Sequence, residues 1–457
     1  MKKLLFVLVL LLSSIPGVYA QDIQSRLDSL MNYYASEYNF NGVALAGSNG
    51  RIVFEKGYGY RDIRKKEKHD DSSIFQVGSL TSEFTAEIVM MLAKERKLSL
   101  EDKLNKYFPK YPKGDSITIR ELLNNTSGIM DYFMFDGFFA KHDTMHVSRD
   151  TVMVLFNTKP PQFTPGTRFH YSNSNYLLLG YIIEKVTHKS YSEVVRERIF
   201  KPLGMVHSGF DYRGLKDKHK SHGYRHYTEH EKEMSVMDST LTGGAASLYT
   251  TAADLYTWTK ALQSYRFLDK KTQDSMYIPV LRNYGYGWYA DTVHGKTAGA
   301  MGGMLQGFSS FLVQVPSDEL CVILIQNVNL PAFDNSSIAH KMVDAYYDKD
   351  FTLPTIAPVV QLSPATLGRY EGEFVFPSAV SLAITVEDSG LHAHNIPPKG
   401  FPANAPDFDM LPIGDNKFKT KSLNAVIEFL TDATGNVTGL VMHQPKHDIV
   451  AKKKAAK

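Results

Sequence analysis

The chain has 457 residues, of which 43% are hydrophobic, and its 51 basic and 48 acidic residues leave a net charge of only +3. This length and apolar content suffice for one large domain and a smaller one. The near balance of scattered charges gives no support to a role in nucleic-acid binding. A single cysteine, Cys321 in an apolar segment, excludes a disulfide within the chain and a cysteine metal cluster.

Residues 1–20 are typical of a signal peptide. Lys2 and Lys3 precede an apolar run over residues 4–12, and residues 18–20 have the small-residue spacing of a signal-peptidase site. We therefore expect an exported protein, periplasmic or secreted, whose mature chain starts at Gln21. No later segment has the roughly 18 uninterrupted apolar residues of a membrane span, so we expect no stable membrane anchor after cleavage.

The first strands are predicted as a hairpin in residues 41–60, with a turn at Asn49-Gly50. After Ser79 the apolar period becomes helical, because the apolar residues at 84, 88, 91 and 92 predict a helix with one buried face. The segment ITIRELLNNTSGI, residues 117–129, is predicted as a helix that ends at Ser127-Gly128. Residues 171–205 predict two helices separated at Lys189-Ser190.

Strands return in residues 284–327, with turns expected at His294-Gly295 and at residues 316–318. A proline-bearing stretch without any period then predicts a linker. The short alternating runs beyond it predict an antiparallel barrel or sandwich. The predicted domains are 21–351, a linker at 352–361, and a C-terminal β domain at 362–457.

Ser79 lies in FQVGSLTSEFTA, where a short apolar run meets the predicted helix. A serine at this place can simply cap the helix. It can also be a nucleophile, because the dipole and the free amides at a helix N-terminus favour a developing oxyanion. The local sequence leaves both interpretations open.

Most of residues 25–345 resembles the serine β-lactamase and penicillin-binding-protein family, closest to its branch of class C β-lactamases, esterases and D-amino-acid peptidases. Six segments carry this resemblance in family order: IFQVGSLTSEFTAEIVMMLAKERKLSLEDKL, ITIRELLNNTSGI, PGTRFHYSNSNYLLLGYIIEKVT, IFKPLGM, GGAASLYTTAADL, and YGYGW with GFSSF. The resemblance implies an α/β (α+β) fold, in which helices flank an antiparallel sheet and a helical lobe spans about 100–205. It also implies a serine hydrolase without a cofactor. Such an enzyme would act through an acyl-serine intermediate on a small ester, amide or D-amino-acid peptide, including peptidoglycan-derived peptides.

The family works with three motifs: Ser-x-x-Lys, Tyr-x-Asn, and Lys- or His-x-Gly. Ser79 matches the nucleophile of the first motif, and Tyr171 and Asn173 match the second. The position of the first-motif lysine is Ser82. The resemblance therefore implies a catalytic set that lacks its lysine.

The third motif departs from the family as well. The position of its cation is Met301, which is followed by Gly302 and Gly303 on the strand expected to bind substrate. The oxyanion donors of the family are backbone N–H groups, and they correspond here to those of Ser79 and Met304. Side-chain changes need not remove these donors.

Both departures act on the same proton transfer. A residue three positions after Ser79 on a helix shares its face, so a lysine there could take the serine proton or hold Tyr171 as a phenolate. The hydroxyl of Ser82 can do neither, and an ordinary tyrosine with a pKa near ~10 stays protonated. We therefore expect impaired catalysis. The alternative is a catalytically inactive exported paralogue that binds a cell-wall peptide or a protein partner.

Three other cations were candidates to replace the missing ones. Lys296 should face away from the pocket by strand alternation, and His294 lies in the predicted turn, about 20 Å along an extended strand. His170 adjoins Tyr171 and could relay a proton if its loop turned the ring inward.

Two groups of histidines invite comparison with metal sites. The first lies in a segment whose glycine and tyrosines favour extended structure, where residues four apart are about 13 Å from one another. Its members are His219, His222, His226 and His230. The second is His392 and His394, strand neighbours expected to face solvent. The sequence favours a metal in neither group.

Overall fold

The chain folds into two units. In the computed structural model the described residues are 15–225, 232–329, 334–355, 357–387, 390–398, 407–420, 425–444 and 447–455. Unit 1 comprises Met1–Leu30, Asn41–Asn329 and Asn335–Phe351, and unit 2 comprises Met31–Phe40, Leu330–Asp334 and Thr352–Lys457. Residues 1–14, which hold most of the predicted signal peptide, lie outside the described residues. No helix in the described part of the chain has both the length and the apolar character needed to cross a membrane.

A six-stranded antiparallel sheet forms the centre of unit 1. The strands of this unit are β1 Gly42–Ser48, β2 Arg51–Tyr58, β3 Tyr60–Asp62, β4 Glu67–Lys68, β5 Phe75–Gln76, β6 Tyr249–Thr250, β7 Tyr289–Val293, β8 Lys296–Leu305, β9 Phe308–Val315 and β10 Leu320–Gln326. The sheet has the order β2-β1-β10-β9-β8-β7, and β3–β4 and β5–β6 form two separate pairs. β1 and β10 are buried at every residue, so both faces of the central strands are covered.

Two tight turns set the register of this sheet. Asn49 and Gly50 have φ angles of 49° and 74°, and His294 and Gly295 have 49° and 72°. Both central residues of a type I′ turn need positive φ, and asparagine and glycine meet this need at low cost. The predicted hairpin in residues 41–60 and the predicted turn at His294-Gly295 are confirmed.

Helices cover the sheet and build a lobe beside it. The α-helices of the described chain are α1 Ile15–Tyr38, α2 Thr81–Lys94, α3 Leu104–Tyr107, α4 Ile119–Leu123, α5 Asp136–His142, α6 Arg149–Met153, α7 Asn173–Thr187, α8 Tyr191–Val195, α9 Lys201–Leu203, α10 Ser239–Ala246, α11 Ala252–Gln263, α12 Lys270–Met276, α13 Asn335–Tyr347 and α14 Pro364–Gly368. Of these, α14 and the C-terminal part of α1 belong to unit 2. α11 packs on β1 and β10, and α13 packs on β9 and β10. Trp258 of α11 is fully buried and stacks on Phe84 of α2 at 4.3 Å between ring centroids.

Two helices differ from the sequence prediction. α4 ends at Leu123, because the NNTSG segment after it forms hydrogen bonds to remote parts of the chain instead of continuing the helix. α2 is buried along its whole first part, from Thr81 to Met90, and not on one face only. It packs against both α7 and α10, so helices surround it where solvent was expected.

The two helices predicted in residues 171–205 are confirmed. α7 ends at Thr187, followed by His188 in the left-handed conformation with φ 56°. α8 then begins after Ser190, whose side chain accepts a hydrogen bond from the N–H of Glu193 in a capping box.

Unit 2 contains a closed antiparallel barrel of eight strands. They are β11 Gly372–Val375, β12 Ser381–Glu387, β13 Gly390–Ile396, β14 Phe408–Pro412, β15 Lys417–Thr420, β16 Ala425–Thr431, β17 Val437–His443 and β18 Asp448–Lys453. They close in sequence order, with β18 paired to β11. Alternate residues fill the interior, among them Phe374, Phe418 and Phe429. The predicted fold class, an antiparallel sheet flanked by helices with a C-terminal antiparallel β domain, is confirmed.

Candidate active site

Ser79 lies in a single 3₁₀ turn, Gly78–Leu80, that leads directly into α2. The Thr81 hydroxyl donates to the Gly78 carbonyl at 2.7 Å and accepts from the Leu248 N–H at 3.0 Å. These bonds fix the turn from within the core. Gly78 and Leu80 are buried while Ser79 is partly exposed, so the turn presents the serine side chain at a surface.

β8 lies against the backbone of this turn. A β-carbon placed on Gly303 would lie 1.9 Å from the Val77 carbonyl oxygen and 3.0 Å from the Ser79 nitrogen. A β-carbon on Gly78, which has φ 55°, would lie 2.7 Å from the Met304 nitrogen. Only glycine permits so close an approach of two backbones. The structure therefore brings the amide groups of Ser79 and Met304 onto facing segments.

The Tyr171 hydroxyl lies beside the hydroxyls of Ser79 and Ser82. Burial raises the pKa of Tyr171 to about 12, although the nearby hydroxyls of Ser79 and Ser82 act to lower it. These contacts are loose, because Tyr171 Oη and Ser82 Oγ are buried without a hydrogen bond of normal distance and angle to any described residue. Electrostatic interactions with Tyr289 and Asp131 raise this pKa further. Among the described residues, the groups with the largest effects on this pKa include no lysine, arginine or histidine.

Uncharged, buried side chains occupy the two positions where the resemblance implies a cation. Ser82 is fully buried in α2. Met301 is 2% exposed and belongs to the main hydrophobic core. Neither side chain carries a positive charge or a basic group.

Two of the candidate replacements for these cations have partners elsewhere. Lys296 pairs with Asp318 and stands over the Tyr347 ring, and His294 Nε2 lies 3.0 Å from Asp344 Oδ1. The expectation that Lys296 and His294 do not reach the pocket is confirmed by these partners. The His170 side chain is exposed, while the Tyr171 hydroxyl beside it in sequence is buried.

Asp131 holds the asparagine of the Tyr-x-Asn motif, and the sequence did not reveal it. Asn173 donates from its side-chain amide to Asp131 Oδ2 at 3.1 Å and from its backbone N–H to Asp131 Oδ1 at 3.2 Å. Burial raises the pKa of Asp131, whereas hydrogen bonds from Phe133 and Asn173 and the nearby His170 act to lower it. An aspartate inside a loop carries no sequence signal for such a contact.

A network of side-chain amides holds the segment that carries Tyr171. Asn125 Oδ1 accepts from the Ser172 N–H at 3.1 Å and from the Asn175 side-chain amide at 2.8 Å. Ser127 Oγ donates to Asn175 Oδ1 at 2.6 Å. The NNTSG segment therefore positions Tyr171 through its neighbour Ser172, which explains why this segment is a loop.

Two carboxyl groups are buried on α2 behind the serine. Trp258 donates its indole N–H to Glu83 at 3.1 Å, and Gln273 donates its amide to Glu87 at 3.2 Å. Desolvation raises the pKa of Glu83 well above its usual range and that of Glu87 to about 8. Burial therefore favours the protonated, neutral form of both carboxyl groups.

The two described histidines of the first group, His219 and His222, contact different carboxylates. His219 Nδ1 lies 3.3 Å from Asp70, and His222 Nδ1 lies 2.8 Å from Glu233. His226 and His230 lie outside the described residues.

Comparison with known proteins identifies the family and the fold. A model of the family described as Beta-lactamase matches residues 23–347. Over 436 residues the chain is 26% identical to "Penicillin-binding protein 4*" of Bacillus subtilis (strain 168), which covers 90% of this chain and 94% of that protein. Two solved structures are also similar. The octameric penicillin-binding protein homologue from Pyrococcus abyssi has a TM-score of 0.65 at 22% identity and covers 93% of this chain and 99% of that one. A D-stereospecific amidohydrolase from Streptomyces sp. has a TM-score of 0.59 at 25% identity and covers 72% of this chain and 98% of that one.

Proposed function

The chain belongs to the β-lactamase family, and from that premise we propose that it is a serine hydrolase of low activity. Its substrate is a small ester, amide or D-amino-acid peptide, and its intermediate is an acyl group on Ser79. The relatives named as a penicillin-binding protein and a D-stereospecific amidohydrolase support this substrate class. The signal-like segment at residues 1–20 supports action outside the cytoplasm, on exported or cell-wall material.

The proposed reaction has two steps. Ser79 Oγ forms a bond to the substrate carbonyl carbon and loses its proton to the Tyr171 phenolate, while the backbone N–H groups of Ser79 and Met304 stabilise the oxyanion. The tetrahedral intermediate then expels the leaving group, which takes a proton from Tyr171. Water releases the acyl group from Ser79 by the same route in reverse.

One observation carries the proposal of low activity: among the described residues, the proton acceptor found beside Ser79 is the Tyr171 phenol, whose pKa is raised. At pH 7 a pKa of about 12 leaves roughly one phenolate in 10⁵. General acid–base catalysis typically accelerates a reaction by about 10²–10⁴, and each hydrogen-bond donor to the oxyanion accelerates it by about 10²–10³. The backbone donors remain, so acylation by a reactive ester or strained amide survives while ordinary amides turn over slowly.

The uncharged Ser82 and Met301 also favour a second candidate function. In this alternative the protein is a catalytically inactive paralogue. Its cleft binds a cell-wall peptide or a protein partner without cleaving it. The side chain of Asn173, held by Asp131, would then serve recognition of a peptide amide only.

Labelling by an activated phosphonate separates the two functions. The protein and a Ser79→Ala variant are incubated with a fluorophosphonate probe, and the adduct is measured by intact-protein mass spectrometry. The proposed hydrolase gains one adduct that the Ser79→Ala variant does not gain. Equal absence of an adduct in both proteins, together with saturable binding of a D-Ala-D-Ala peptide, would establish the binding protein instead.

A further inference from the structure

The outer surface of the unit 2 barrel carries two imidazoles with no role in the site described above. His392 and His394 lie two residues apart on β13, so their side chains share one face of the strand. Ala393 between them is fully buried inside the barrel. The two rings are 4.7 Å apart between centroids, side by side on the outside.

Three carboxylates surround this pair of rings. His392 Nδ1 lies 2.8 Å from Asp409 on the neighbouring strand β14, and His394 Nδ1 lies 3.1 Å from Asp407, which directly precedes β14. Glu387, at the end of β12, lies 3.9 Å from a nitrogen of each ring. With neutral imidazoles the cluster therefore has three negative charges and attracts a cation.

We propose that His392, His394 and Asp407 form a zinc site. One ligand atom from each of the three lies within 4.8 Å of the other two. A tetrahedral zinc ion with bonds of about 2.0–2.1 Å holds its ligand atoms about 3.4 Å apart. The ligand atoms therefore need to move only a short distance closer to one another. The side chains of His394 and Asp407, at 44% and 50% exposure, have room to do so by rotation.

The donor set selects the class of ion. Imidazole nitrogens with a carboxylate oxygen suit Zn²⁺ and similar transition ions, whereas Ca²⁺ and Mg²⁺ prefer oxygen ligands alone. Asp409 accepts from Nδ1 of His392, which fixes the ring orientation and leaves Nε2 free to bind the metal. Glu387 or a water molecule supplies the fourth ligand.

The position of the ligands gives the ion a structural role. His392 and His394 lie on β13 and Asp407 lies beside β14, so bound zinc joins two neighbouring segments of the barrel. Because the site exists only in the folded barrel, zinc stabilises the folded state by mass action.

Calorimetry on the full-length chain without a histidine tag tests this site. The protein is stripped with EDTA, exchanged into buffer at neutral pH, and titrated with ZnCl₂. We expect one zinc ion per chain, and we expect His392→Ala and His394→Ala each to weaken binding at least about 100-fold. A parallel thermal melt should show a higher midpoint with zinc than with EDTA for the natural sequence, and no difference for either variant.

His443 provides a matched control in the same barrel. Its ring also lies between two carboxylates, with Nε2 3.3 Å from Glu428 and Nδ1 3.0 Å from Asp448. In the described part of the barrel, the ring contact between two imidazoles is that of His392 with His394. His443→Ala should leave zinc binding within about twofold of the original affinity, because a lone imidazole binds zinc weakly. The proposal is overturned if zinc shows no saturable binding below about 100 µM. It is equally overturned if His392→Ala and His394→Ala bind as the natural sequence does.

Discussion

Replacing Ser82 by lysine should accelerate acylation of Ser79. At pH 8 a pKa of about 12 leaves about one Tyr171 in 10⁴ as phenolate. A cation in contact with a phenol lowers its pKa by about 1–3 units, which raises the phenolate population about 10- to 1,000-fold. If phenolate limits the reaction, the rate of fluorophosphonate labelling should rise by the same factor.

The matched control for this experiment is Ser82→Met. Methionine has nearly the length of lysine but no charge, and Ser82 is fully buried, so both variants bear a similar packing cost. Labelling rates come from intact-protein mass spectrometry, with thermal melts to show that both variants are folded. Equal rates for two folded variants would refute the electrostatic argument. A Ser82→Lys, Met301→His double variant should be faster still.

Three further predictions concern the surroundings of the site. Gly303→Ala should lower stability by about 1–3 kcal/mol in urea unfolding and abolish labelling, because its β-carbon would meet backbone at 1.9 Å. Gly302→Ala, whose nearest neighbour would be a ring atom at 3.4 Å, should be tolerated. Glu87 has its pKa raised to about 8, so folding stability should fall as pH rises from about 4.5 to 8, where only the unfolded carboxyl ionises. Glu87→Gln should remove about 3–4 kcal/mol of that loss between pH 5 and pH 8, measured by unfolding at the two pH values. Asp131→Ala should destabilise the protein by about 1–3 kcal/mol and weaken binding of D-Ala-D-Ala peptides, whereas Asp131→Asn, which still accepts from the Asn173 amide, should keep much of both.

The sequence predicted the elements whose signals are local. The Asn49-Gly50 turn, the helices on either side of Ser190 and the strands of the barrel each follow from residue types within a few positions. That the backbone of Met304 lies near that of Ser79 was implied only by the family resemblance, through the two oxyanion donors. The sequence of β8 alone does not indicate which segment of backbone the strand contacts.

The features that escaped prediction depend on contacts between distant residues. Asp131 and Asn125 act through hydrogen bonds to residues more than 40 positions away, so neither has a local signature. The buried face predicted for α2 from residues 84, 88, 91 and 92 did not include Glu83 and Glu87, because charged residues in a helix are usually exposed. Their burial follows from the packing of α2 against α7 and α10 and from the contact of Glu83 with Trp258 of α11.

The histidine pair in the barrel shows the same limit. From the sequence, His392 and His394 are merely neighbours on a strand. Asp407 is 13 positions beyond His394, and only the pairing of β13 with β14 brings its carboxylate to the ring. A metal site assembled across strands is therefore visible only after the register is known.

The pH dependence of Ser79 labelling in the unaltered protein tests the central claim most directly. If a phenol with a pKa of about 12 is the base, the labelling rate should rise about tenfold per pH unit from about pH 7 to about pH 10. Tyr171→Phe should be slower and lose this Tyr171-dependent increase. A rate that reaches its plateau below about pH 8 would show that a cation or another base already activates the serine, and would contradict the account.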